Sequence, residues 1–125
     1  MIDMRTVLIV EDYQELSSLL VEGLQLDGWN TATANSADEA LKSARAITVD
    51  VVLCDMVLGG TSGLELEEMF RADTKLARIP FVFMTGLRDA ARNVEPDRVL
   101  AKPFRFEAAY AALRRAIGRE CLPFR

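Results

Sequence analysis

The sequence predicts an α/β fold: a doubly wound, five-stranded parallel sheet with helices on both faces. Three observations predict it. Short apolar runs at Thr6–Val10 (TVLIV), Val51–Cys54 (VVLC) and Phe81–Met84 (FVFM) are bounded by polar or turn residues, as strands buried on both faces are. Segments with apolar residues at helical spacing fall between those runs, and such alternation implies parallel strands joined by right-handed crossovers. The strands also end on reactive side chains, Glu11-Asp12, Asp55, Thr85 and Lys102, at the carboxyl edge where open α/β sheets bind ligands.

Element by element, Thr6–Val10 is the first strand. Leu16, Leu19, Leu20 and Leu24 then recur on one helical stripe, in a helix expected from near Tyr13 to Asp27-Gly28, where glycine suits a left-handed cap. Asn30–Ala34 is a less apolar strand, expected near a sheet edge. Ser36 and Glu39 have the capping-box spacing, and the helix they open carries Ala37, Ala40, Leu41 and Ala44 on its inner face. The third strand runs to Cys54 and stops on Asp55. A loop rich in glycine follows, then a helix beginning near Gly63 with Leu66, Met69 and Phe70 inward. Pro80 opens the fourth strand, where a missing N–H is tolerated. Asp89–Asn93 can form a turn or two of helix, which Pro96 breaks. Val99–Ala101 is the fifth strand. Phe106, Ala109, Tyr110, Leu113, Ala116 and Ile117 make the stripe of the last helix, with Gly118 as its stop.

The 125 residues fit one domain spanning 1–125, with a tail over 119–125 that is either disordered or packed through Leu122 and Phe124. The net charge of −4, from 15 basic and 19 acidic residues, argues against direct DNA binding. The two cysteines, Cys54 and Cys121, form no metal-ligand motif; Cys54, inside an apolar run, is expected to pack as a small hydrophobe. Sparse cysteine suits a reducing, cytoplasmic setting. No run approaches the ~18 apolar residues of a membrane span, and the opening residues do not read as a secretory signal. Histidine is absent. That excludes Ser-His-Asp and Cys-His catalysis and any His-based zinc site, and the chain cannot itself donate from phosphohistidine.

Three carboxylates on one rim repel unless a positive charge lies among them. Oxygen donors without imidazole or thiolate favour Mg²⁺, or Mn²⁺. Beside them a lysine can pair with a phosphoryl oxygen as a point charge, a threonine hydroxyl can donate to another, and one aspartate can act as the nucleophile.

Glu11-Asp12, Asp55, Thr85-Gly86 and Lys102-Pro103, in this order and spacing, resemble the receiver domain of bacterial two-component response regulators, of the chemotaxis-regulator-like kind. The likeness extends from about Thr6 to Ile117. It implies the flavodoxin-like strand order 2-1-3-4-5; that order comes with the resemblance. It also implies that Asp55 accepts a phosphoryl group from a histidine kinase or a His-containing phosphotransfer protein. Asp12, Asp55 and the backbone carbonyl of Val57 would ligate Mg²⁺ directly, with Glu11 acting through water. Thr85 and Lys102 would hold the phosphoryl oxygens, Gly86 would leave Thr85 room, Gly63 matches a loop glycine, and Lys102-Pro103 is often cis in the family. A receiver is not a conventional enzyme; it catalyses its own phosphorylation and dephosphorylation. The resemblance further implies a cytoplasmic, monomeric or weakly dimeric phosphoprotein that signals to a downstream protein.

The sequence departs from the family pattern in four places. Val99 stands where a switch Tyr or Phe is usual, and Gly59 where Pro is common. Val57 and Leu87, two residues after Asp55 and Thr85, are apolar where polar residues are frequent, and are expected to hinder an attacking water. Only 17 positions separate Thr85 from Lys102, which makes the fourth helix short or irregular.

Taken singly, each residue also suits an ordinary role. Acids favour a helix N-terminus, Asp55 and Thr85 suit turns, and Lys102 a solvated loop. Val57 and Leu87 suit exposed apolar positions; Phe104 and Phe106 suit packing; Arg114, Arg115 and Arg119 suit a helix C-terminus. The competing functions are a pseudo-receiver, with this fold as a non-phosphorylated interaction module, and an aspartyl-phosphate hydrolase, whose D-x-D pattern is broken here by Val57.

Overall fold

A computed structural model describes residues 5–86 and 93–120, the last two by their backbone alone. In chain order the elements are β1 Thr6–Val10, α1 Gln14–Leu26, β2 Asn30–Ala34, α2 Ala37–Ala46, β3 Val51–Asp55, β4 Val57–Leu58, β5 Thr61–Ser62, α3 Gly63–Arg71, β6 Phe81–Thr85, β7 Val99–Ala101 and α4 Phe106–Glu120. The main sheet is parallel, in the order β2-β1-β3-β6-β7. Since β4 and β5 form a separate antiparallel hairpin, this is the expected 2-1-3-4-5 arrangement, with β2 at an edge. Among the described residues no helix is long and apolar enough to cross a membrane.

Alternation along each strand splits the core into two layers. Leu8, Val10, Val52, Cys54, Phe81 and Phe83 face α2 and α3, where Ala40, Ala44, Leu66 and Phe70 meet them. Val7, Ile9, Val51, Leu53, Val82 and Met84 face α1 and α4, against Leu20, Leu24, Ala109 and Leu113. Burial of each large apolar side chain contributes roughly 1.5–3 kcal/mol. Cys54 packs fully buried within the first layer, as a small hydrophobe should, and burial pushes its thiol far above the ordinary range.

The helix ends follow local chemistry. Gly28, at φ 96°, takes the left-handed conformation after α1. Ser36 accepts from the Glu39 N–H, but the Glu39 carboxylate accepts from Asn35 N–H, one residue before the position that closes a full box. The complete capping box lies at Ser62 and Glu65, opening α3. Tyr110 donates its hydroxyl to Gly23 O at 2.9 Å, pinning α4 to α1; Arg114 adds an ion pair to Asp27 at the end of α1. Phe104 and Phe106 are half-buried against the α1–α4 layer, as expected.

Several expectations are corrected. Met69 is 42% exposed rather than inward; only Leu66 and Phe70 carry the buried face of α3, because position 69 lies toward its edge. α4 runs through Gly118 to Glu120, since a single helical glycine costs only about 1 kcal/mol. Pro96, expected as a helix breaker, follows non-helical residues 93–95 and itself opens a short 3₁₀ turn, Pro96–Arg98, its fixed φ suiting a first helical position; this adds to the expectation and does not contradict it. Leu87, most of the expected 89–93 turns and the tail from 121 onward, with Cys121, Leu122 and Phe124, lie outside the described residues.

Candidate functional site

Strand register brings the rim together. Val10 pairs with Cys54, so Glu11 is level with Asp55; Asp55 pairs with Met84, and Thr85 with Ala101. Lys102 follows one residue later, its N–H donating to Thr85 O at 2.8 Å. The Lys102–Pro103 peptide is cis. Glu11, Asp55 and Thr85 are buried, and Asp12 is exposed on the same rim.

The Lys102 ammonium reaches two acids from distant parts of the chain. Nζ donates to Asp55 Oδ2 at 2.5 Å and to Glu11 Oε1 at 3.3 Å. The other Asp55 oxygen, Oδ1, accepts from the Val57 N–H at 2.9 Å, and Glu11 Oε2 accepts from the Tyr13 N–H at 3.1 Å. The Asp55 carboxylate therefore has a cation on one oxygen and a backbone amide on the other. Burial, with the hydrogen bond and negative charge of Asp55 adding to it, raises the Glu11 carboxyl from 4.5 to about 7, against the lowering effects of the Tyr13 amide and Lys102. Burial lowers the proton affinity of Lys102, but Asp55 and then Glu11 outweigh it and hold the ammonium above its ordinary range. Lys102 is thus a fixed positive charge at neutral pH.

The loop after Asp55 is built around two glycines. A β-carbon at Gly63 would lie 2.6 Å from Asp55 O and 3.2 Å from Cys54 Sγ. The absence of a side chain lets α3 start hard against the end of β3, with Gly63 N–H donating to Met56 O at 2.9 Å. Gly59 turns the β4–β5 hairpin at φ 54°. Proline, fixed near −65°, cannot take that conformation, which gives the physical reason for glycine here. The hairpin places Leu58 in the core and leaves Val57 half exposed beside Asp55. A β-carbon at Gly59 would lie 4.0 Å from Asp12 Oδ2, so Asp12 sits over the same loop. At Gly86 a β-carbon would meet no described atom within 4 Å.

Glu11, Asp55 and Lys102 are thus in direct contact, Val57 touches Asp55 by its backbone, and Thr85 and Asp12 lie on the same rim. Among the described residues, no three acidic or thiol side chains converge as a ready-made metal cage. Mg²⁺ does not require one: it typically takes one or two carboxylates and keeps several waters. The oxygen-only donors, and a Glu11 carboxyl crowded by Asp55, fit a divalent cation that would relieve that repulsion. Pattern reading missed the β4–β5 hairpin, whose signal was the Gly59-Gly60 pair between apolar and hydroxyl residues.

A family profile described as the response regulator receiver domain matches residues 7–114. The probable transcriptional regulatory protein TcrX of Mycobacterium tuberculosis is 30% identical over 119 residues, covering 91% of this chain and 50% of that protein. The chain spans about half the length of the curated relatives it matches. Among solved structures, chemotaxis response regulator CheY4 of Vibrio cholerae superposes with a TM-score of 0.80 at 25% identity, over 91% of this chain and 99% of that one. Response regulator TrrA of Thermotoga maritima, in complex with Mg²⁺ and BeF, gives 0.78 at 26% identity, over 90% and 99%. Match and architecture agree: the chain belongs to the response regulator receiver domain family of two-component systems.

Proposed function

We propose that this receiver takes a phosphoryl group onto Asp55 from a histidine kinase or a His-containing phosphotransfer protein. The carrying observation is the convergence of Lys102 on Asp55 and Glu11, 47 and 91 positions away in sequence. A strand-end carboxylate suits many roles; one buried at 7% exposure, paired with a lysine and facing a second acid, suits a displacement in which charge must be neutralised. A carboxylate oxygen of Asp55 attacks phosphorus, and the bond from phosphorus to the donor's imidazole nitrogen breaks with its electron pair left on that nitrogen. Lys102 then pairs with a phosphoryl oxygen and the Thr85 hydroxyl donates to another. Mg²⁺, or Mn²⁺ with similar ligand preferences, supplies neutralisation of the clustered negative charge when bound by Asp12, Asp55, the Val57 carbonyl and, through water, Glu11. Loss of the phosphoryl group to water regenerates the carboxylate.

The receiver is proposed to act in the cytoplasm, as a monomer or weak dimer, and to signal by contact with a downstream protein rather than by binding DNA. The test is transfer of labelled phosphate from a panel of histidine kinases. Wild type becomes labelled and Asp55→Asn does not. Equal labelling of both moves the acceptor elsewhere, and labelling of neither by any donor favours the pseudo-receiver.

A further inference from the structure

Strand β7 carries Lys102 at its end, yet little in its own sequence holds it in place. It has three residues and, among the described residues, lies at the sheet edge and pairs only with β6. Of its side chains only Leu100 is buried; Val99 is half-buried and Ala101 exposed. Register is strongly specified where several side chains alternate into a core, and weakly where few do. A one-residue slip would move Lys102 by about 3.3 Å, more than enough to take its ammonium off Asp55.

The residue immediately before the strand, Arg98, supplies the missing constraint. Its Nε donates to Phe81 O at 3.2 Å, so it is anchored to the first residue of β6. Its Nη2 contacts Glu67 Oε2 of α3 at 2.5 Å and its Nη1 contacts Glu95 Oε1 at 3.0 Å. The guanidinium lies over the Phe83 ring, 5.5 Å from its centroid, and Phe83 is the residue that pairs with Val99. One planar fork thus ties the start of β7 to its neighbouring strand and to a helix. Lysine has no equivalent geometry. Glu67 also pairs with Arg71, whose guanidinium donates to Ala77 O and Ile79 O and lies over the Phe81 ring, 5.8 Å from its centroid.

We infer that Arg98 is a positioning residue for the phosphoacceptor site: its bonds to Phe81 O and Glu67 set the register of β7 and so deliver the Lys102 ammonium to Asp55. This rests on the reading of Lys102 given above, and the test separates the two. The first measurement needs no phosphate. The side-chain ammonium resonance of Lys102, assigned with Lys102→Arg, is followed by NMR in metal-free protein. Arg98→Met, which keeps the aliphatic stem, shifts or broadens it; Arg71→Met, which removes the other guanidinium on Glu67, leaves it in place. The second is phosphoryl uptake from a small acyl phosphate beside Mg²⁺ affinity. Arg98→Met slows uptake about 10- to 100-fold, the scale of an ångström-level misplacement, while Mg²⁺ affinity stays put because none of its proposed ligands is on β7. Arg98→Lys recovers only part of the rate. An unchanged Lys102 resonance in Arg98→Met, or equal effects of Arg71→Met, overturns the inference. If wild type takes up no phosphoryl group while the resonance responds as described, the phosphoacceptor reading fails and the positioning role stands.

Discussion

Gly63→Ala probes how closely the phosphoacceptor strand and α3 are pressed together. The added β-carbon meets Asp55 O at 2.6 Å, 0.4 Å inside the 3.0 Å limit that β-carbon contacts respect (3.0 − 2.6), and also crowds Cys54 Sγ and Met56 Cα at 3.2 Å each. Two of the three atoms are backbone, so no rotamer change relieves the clash. Over-packing of this kind costs about 1–3 kcal/mol. Disturbing the Gly63 N–H bond to Met56 O costs roughly 1 kcal/mol more, and the better helix propensity of alanine returns at most about 1 kcal/mol. The expected net loss is about 1–3 kcal/mol. Urea unfolding followed by far-UV circular dichroism reads it as a lower midpoint at unchanged slope. Gly118→Ala, inside α4 where an added β-carbon meets no described atom within 4 Å beyond its chain neighbours and the helix's own backbone, is the matched comparison and gains about 0.5–1 kcal/mol. Equal midpoints for Gly63→Ala and wild type would refute the close-approach argument.

Three further outcomes follow from the same geometry. The Glu11 carboxyl sits at about 7 in the fold against an ordinary 4.5, so the native state holds the extra proton in that window. Stability of metal-free protein therefore falls as pH rises from 4.5 to 7, by at most about 3 kcal/mol; urea titrations in chelator show a shallower fall for Glu11→Gln, and an identical profile for both proteins counts against it. With the apolar Val57 51% exposed beside Asp55, Val57→Asn is predicted to shorten the phosphorylated lifetime, read by the decay of labelled protein; an unchanged lifetime denies Val57 a part in excluding water. Lys102→Met leaves Asp55 facing Glu11 without its cation and slows phosphoryl uptake about 100-fold or more, measured as initial rate; a rate within about twofold of wild type denies the lysine its place.

Where the sequence was legible, the reason is that a single local rule decided the outcome. The runs TVLIV, VVLC and FVFM became buried central strands because both faces had to be apolar, and the residues ending them shared a rim because parallel strands share a direction. Leu20 and Leu24 of the α1 stripe and the turn at Gly28 behaved likewise, whereas Leu19, expected on the same stripe, is 54% exposed. Local rules failed where elements are too short to have a period. β4 and β5 are two residues each, and the 3₁₀ turn is three. The exposed Met69 shows that a helical stripe has an edge whose burial depends on what packs beside it. At the site, Glu11, Asp12, Asp55, Thr85 and Lys102 were nameable from the sequence as candidates, but the bond from Val57 N–H to Asp55 and the clamp of Arg98 on Glu67 were not. Residues 31 positions apart meet only through the tertiary fold, and no spacing rule announces them.

Phosphorylation of Asp55, as proposed, needs a nucleophilic carboxylate, a neighbouring cation site and a lysine acting together on a phosphoryl group. Binding of beryllofluoride, a phosphoryl mimic, followed by fluorine NMR with and without Mg²⁺, tests all three at once. Bound fluoride resonances are predicted for wild type only when Mg²⁺ is present, and are predicted to vanish in Asp55→Asn. A wild-type spectrum showing free fluoride species alone, at saturating Mg²⁺, would contradict the account.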